Sequence, residues 1–101
     1  MNSTEISKII EKELNGNLKL SNLHGVDLQK CLVKPPARQV FSDSFNEGKA
    51  LYFWLVLEEI SEDKSGYKII FDEKALMFGL ATANNVFIGF HGTFIKTLKS
   101  M

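Results

Sequence analysis

This 101-residue sequence has one cysteine, two prolines and no excess of either charge, and each scarcity removes a class of protein. The lone Cys31 rules out a disulfide within the chain and suits a reducing compartment. Twelve basic residues offset twelve acidic ones, so no overall field draws the chain to nucleic acid or to an anionic membrane. The longest apolar run, Ala50 to Leu57, is far too short to span a bilayer. Met1-Asn2-Ser3-Thr4-Glu5 has no basic start and no apolar stretch behind it, so no secretory signal is expected. These absences make cytoplasm the expected location, with neither nucleic acid nor membrane as a partner.

Catalytic signatures are missing too. The sequence holds no P-loop, no GxGxxG, no GxSxG, no HExxH, no paired CxxC and no EF-hand loop. That argues against an enzyme, and no cofactor is expected. His24, His91 and Cys31 have no close spacing and are poor material for a metal site. Cys31 with either histidine could make a thiolate–imidazole pair. However, Cys31 falls on the apolar stripe of a short helix and reads as a small buried hydrophobe.

What is present is the material of a core. Hydrophobic residues make up 45% of the chain, charged ones 24%, and there are eight phenylalanines. A chain of this length supports one core, burying about 60% of the surface its unfolded form exposes, so residues 1–101 read as a single domain.

From Thr4 to Leu14 the spacing of Ile6, Ile9, Ile10 and Leu14 predicts an amphipathic helix. Asn2, Ser3 or Thr4 can cap it, and Asn15-Gly16 is a stop that accepts left-handed geometry. Between residues 17 and 34, Leu18 and Leu20 alternate as in a strand. Leu28, Cys31 and Leu32 then follow helical spacing behind Asp27 as N-cap. A helix of one or two turns is expected there, then an extended stretch, with Pro35-Pro36 as a stiff connector.

Arg38 to Ser42 reads as a strand leading into the turn-rich Ser44 to Gly48. Ala50 to Leu57 is apolar on both faces and should lie centrally, covered on both sides. Leu51, Phe53, Leu55 and Leu57 share one of its faces; Tyr52, Trp54 and Val56 share the other. Tyr67 to Asp72 alternates as a partly exposed strand. Leu76, Phe78 and Leu80 share a face of the next strand, and Val86, Ile88 and Phe90 a face of the last. Ala83-Asn84-Asn85 makes a tight turn between these two, because asparagine tolerates positive φ. Gly79 and Ala81, near Gly89 on the neighbouring strand, are small enough to let a helix approach. Phe94, Ile95 and Leu98 form a closing helix capped by Gly92 or Thr93. The expected fold is therefore α+β: an antiparallel meander sheet of four to five strands with N-terminal and C-terminal helices packed on it.

Two sites can be read from this pattern. Tyr52 and Trp54 would form a protein interface if the helices leave their face bare. Between Glu58 and Glu73, six acids stand against two lysines, about −4 in all. Glu58, Glu62 and Asp63 would belong to an acidic rim that steers a basic partner. Cross-strand acid–base work between Glu58 or Glu59 and Asp72 or Glu73 is a further use of these carboxylates. The alternative site is His91-Gly92-Thr93, where a strand hands over to a helix. Free N–H groups at a helix start attract anions, so a small anionic ligand could sit there, either simply bound or turned over by a minor enzyme with His91 as general base. The leading expectation is a small interaction module that binds a protein partner or a second copy of itself through its sheet face. A small immunity or antitoxin-type inhibitor is one member of that class.

Overall fold

The computed structural model describes residues 1–17, 19–20, 25–59 and 66–101. Leu18 and His24 lie outside the described residues, as do Glu62 and Asp63 of the expected rim.

Helix α1 spans Ser3–Leu14. Asn2 is its cap: Glu5 N–H donates to Asn2 Oδ1 at 2.9 Å, and Asn2 N–H donates to Glu5 Oε1 at 3.2 Å. This reciprocal pair satisfies two amides that the helix itself cannot. Asn15 ends the helix in the left-handed region (φ 48). The short helix α2, Leu28–Cys31, starts where Asp27 Oδ1 accepts from Gln29 N–H at 3.0 Å.

Strand β1 (Leu32–Asp43) follows α2 at once, and Pro35-Pro36 lies inside it rather than acting as a connector. The pairing explains how a strand tolerates both prolines. Leu32 opposes Leu57 of β2 (Lys49–Glu58), yet Ala37 opposes Leu55, so five steps on β1 face two on β2. The prolines, which lack an N–H to donate, occupy this bulged stretch where no ladder bond is required of them.

Strands β3 (Lys68–Asp72), β4 (Met77–Ala81) and β5 (Val86–Gly92) continue the antiparallel meander. Helix α3, Phe94–Lys99, closes the chain; its cap Thr93 accepts from Lys96 N–H through Oγ1 at 3.2 Å. The class is the expected one: an α+β fold of five meander strands with a helix before and a helix after. The sheet goes further and closes on itself. β1 and β5 pair in parallel at Ser42–Val86 and Asp43–Phe87, turning the meander into a barrel.

Closure gives each strand an inside and an outside. Phe41, Phe53, Leu55, Ile70, Ala81 and Phe87 form a buried cluster drawn from all five strands and no helix, which is the barrel interior. Outside, Ile6, Ile10 and Leu14 of α1 and Phe94 and Leu98 of α3 cover Val56, Leu57, Ile69, Phe71, Phe78 and Leu80. Each such buried aliphatic side chain contributes roughly 1.5–3 kcal/mol.

Bulges reassign several residues from the faces that simple alternation predicts. A register shift between Leu55 and Leu57 turns Leu57 to the helix-covered side, next to Val56. Ile69, Ile70 and Phe71 are all buried, so β3 is covered on both faces instead of being partly exposed. Two shifts in the β4–β5 pairing remove Phe90 from the face of Val86 and Ile88. Its ring instead meets Phe87 at 4.8 Å and Phe53 at 5.9 Å.

Gly79 and Ala81 do not admit a helix either. Ala81 faces the interior, and a Cβ built on Gly79 would stand 2.6 Å from Gly89 O and 3.0 Å from Phe87 Cε1. The small residues make room for a phenylalanine and a neighbouring backbone. The helices pack on the opposite face, through Phe78 and Leu80. Among the described residues no helix is long and apolar enough to cross a membrane.

Candidate functional site

The helices cover only part of the outer barrel surface. Along β2, Val56 and Leu57 are fully buried, Trp54 is half-buried, and Tyr52 is 65% exposed. Across the ladder, Tyr52 pairs with Val40, which is 50% exposed, and Trp54 pairs with Arg38. The outer face of the β1–β2 hairpin therefore runs from covered to bare within a few residues. Tyr52 and Trp54 lie together, as their spacing implied. Val40 was missing from that reading because it becomes their neighbour only through the β1–β2 register.

Charge borders the apolar pair. The Arg38 guanidinium lies 5.2 Å from the centroid of the Trp54 ring and forms an ion pair with Glu73. The Met1 amino group lies 3.1 Å from the other Glu73 oxygen. The Met1 ammonium first, and Arg38 second, hold the Glu73 carboxyl below its ordinary value of 4.5. Trp54 Nε1 is enclosed and has no hydrogen-bond partner among the described residues, so Trp54 offers this surface its ring rather than its N–H.

Among the described residues, the acids of this stretch do not lie together. Glu58 stands opposite Lys68 at one end of β3, while Asp72 and Glu73 stand at the other, roughly 13 Å along the strand. Glu58 is also roughly 20 Å along β2 from Tyr52 and does not join the Tyr52–Trp54 surface. Two carboxylates of the stretch have local work. Glu59 Oε2 accepts from Tyr67 N–H at 2.9 Å, and Asp72 Oδ1 accepts from Lys74 N–H at 2.9 Å. No cross-strand carboxylate pair forms between Glu58 or Glu59 and Asp72 or Glu73, which corrects the acid–base reading.

At the strand-to-helix junction, His91 is exposed, Gly92 adopts φ +100, and Thr93 caps α3. The free N–H groups expected there are already used. Phe94 N–H donates to Glu13 Oε2 at 3.0 Å and Ile95 N–H donates to Glu13 Oε1 at 3.1 Å. The carboxylate of α1 thus fills the place reserved for a ligand and ties the two terminal helices together. No local spacing signals it, since 81 positions separate Glu13 from Phe94.

Two surface clefts lie elsewhere among the described residues. One of about 730 Å³ runs between α1 and the first half of β1, with Ile10, Leu14, Leu32 and Pro35 among its mainly apolar walls. The other, about 590 Å³, has mixed polarity and includes Lys30, Cys31, Glu58 and Lys68. Cys31 is buried, as its place on an apolar stripe implied. Among the described residues no group of three or more His, Cys, Asp or Glu could hold a metal ion. Comparison with protein-family models, curated proteins and solved structures gives no match, so the geometry alone carries the reading of this site.

Proposed function

We propose that this chain is a small cytoplasmic interaction module that binds a protein through the outer face of its β1–β2 hairpin, around Tyr52, Val40 and Trp54. The observation that carries the reading is the facing pair Tyr52 and Val40, 65% and 50% exposed on a sheet whose neighbouring residues are sealed by helices. Tyrosine and tryptophan supply large, rigid contact area and are enriched at the centres of protein interfaces. The flanking Arg38–Glu73 pair gives the apolar centre a polar border of both signs, which sets orientation more than affinity. Balanced net charge favours protein over nucleic acid as the partner. A small inhibitor of the immunity or antitoxin type fits these features: a rigid barrel presenting one aromatic face.

Affinity capture of the tagged chain from its own cells, read by native mass spectrometry, tests the proposal. A stoichiometric protein partner that survives His91→Ala and is lost with Tyr52→Asp is the expected result. A partner retained by Tyr52→Asp overturns it. So does a bare monomer carrying a small-molecule adduct that His91→Ala removes.

A further inference from the structure

We propose that the free edge of β5 pairs with the same edge of a second copy, making an antiparallel two-fold dimer. This surface is separate from the Tyr52 face, and the proposal does not depend on the reading given above.

β5 pairs with β4 along its length, but with β1 only at Val86 and Phe87. The overlap is short because β1 ends at Asp43 and the chain turns away over residues 44–48. Beyond it, Ile88 to Gly92 have no strand partner on that side among the described residues. A row of unpaired N–H and C=O groups is a template for another extended chain.

Natural edges are blunted by lysine, by proline, or by a covering helix or loop. Here Val86-Phe87-Ile88-Gly89-Phe90-His91-Gly92 contains neither lysine nor proline, nor any carboxylate. The surroundings are open as well. Ile88 and Phe90 are each 37% exposed, and a Cβ built on Gly89 meets nothing within 4 Å. Phe45, 72% exposed, leans edge-on against Phe87 at 6.3 Å.

These features favour a second copy over a foreign strand. An antiparallel two-fold lets each edge offer the other an equivalent set of donors and acceptors. Because the segment carries no lysine, arginine or carboxylate, two copies meet without the like-charge conflict that normally prevents such pairing. The exposed rings of Phe45 and Phe90 flank the edge and lose water contact when it is covered. The two bulges in β5 shorten the paired region to a few residues, which makes the dimer reversible and dependent on concentration.

Sedimentation velocity on the full chain over a wide range of concentration is the test, with circular dichroism confirming that each variant folds. A mass that doubles as concentration rises is expected. Ile88→Lys, which places like charges on the two facing edges, should weaken association at least about tenfold, while Tyr52→Lys leaves it unchanged. Amide hydrogen exchange on the unaltered chain gives a second reading: amides within Ile88 to Gly92 that exchange freely in dilute solution should gain protection as concentration rises. A monomer at every concentration overturns the proposal, as does a dimer indifferent to Ile88→Lys, a dimer dispersed by Tyr52→Lys, or exchange over Ile88 to Gly92 that ignores concentration.

Discussion

The two halves of β2 are built alike and end differently. Leu55 to Leu57 are nearly or fully buried, with the barrel interior on one side and α1 and α3 on the other. In Leu51 to Trp54 the interior still takes Phe53, but the opposite face has lost its cover and Tyr52 lies open. Both halves are apolar on both faces in the sequence. The difference is where the helices stop. A two-sided apolar strand therefore reports that something covers it, without saying whether the cover belongs to the same chain.

Substitutions can break this contrast. The largest effect should come from the covered side: Phe71→Ala, at a ring 1% exposed and packed 4.6 Å from Phe78, should cost ~3–5 kcal/mol in chemical denaturation. Tyr52→Ala should stay within about 0.5 kcal/mol of the parent. Similar losses at both positions would show that the outer hairpin face is covered in solution.

The interior has its own limit. Gly79→Ala adds a single methyl group, but the obstacle is the backbone oxygen of Gly89, which cannot rotate away. A loss of about 1–3 kcal/mol is expected, measured in the same way. A neutral result would mean that β4 and β5 can separate at their bulges.

A smaller effect tests the helix cover. Glu13→Ala leaves the first two amides of α3 without their acceptor and should cost about 1–2 kcal/mol. Exchange at Phe94 and Ile95 should rise with it. If stability falls while those two amides remain protected, Glu13 acts through α1 alone.

The smallest effect lies at the border of the bare face. Because Met1 and Arg38 lower the pKa of the folded Glu73 carboxyl, the unfolded chain binds more protons in acid. The contribution is fully present above the ordinary carboxylate range and is lost as pH falls through the lowered folded value. Glu73→Gln should flatten the stability slope in that acid window, with a small loss at neutral pH that disappears in strong acid. The group is at the surface, so added salt should shrink the difference.

Legibility followed sequence distance. Helix ends were readable because a cap and the amide it serves lie within three residues: Asn2 with Glu5, Asp27 with Gln29, and Thr93 with Lys96. The strand run was readable from its apolar content, and the turn at Asn85 (φ 62) from the tolerance of asparagine for that geometry. Side-chain faces were legible only where alternation ran unbroken. At Leu57 and Phe90, bulges reset it, and a bulge is set by how the partner strand pairs. Of the candidate surface, Tyr52 and Trp54 could be named from the sequence. Val40 and Arg38 could not, since only the β1–β2 register places them alongside.

The sequence by itself therefore determined the α+β class, the broad order of helices and strands, and a short set of candidate caps at each helix start. These depend on contacts within one turn of chain, where composition and spacing carry the information. Tertiary structure alone decided that the meander closes through Ser42 and Val86, that Glu13 occupies the start of α3, and that the helices stop short of Tyr52. Each of these joins residues more than 40 positions apart, or depends on how far one layer reaches over another. Such outcomes are settled by packing the whole chain into one enclosed volume, and no local pattern encodes them.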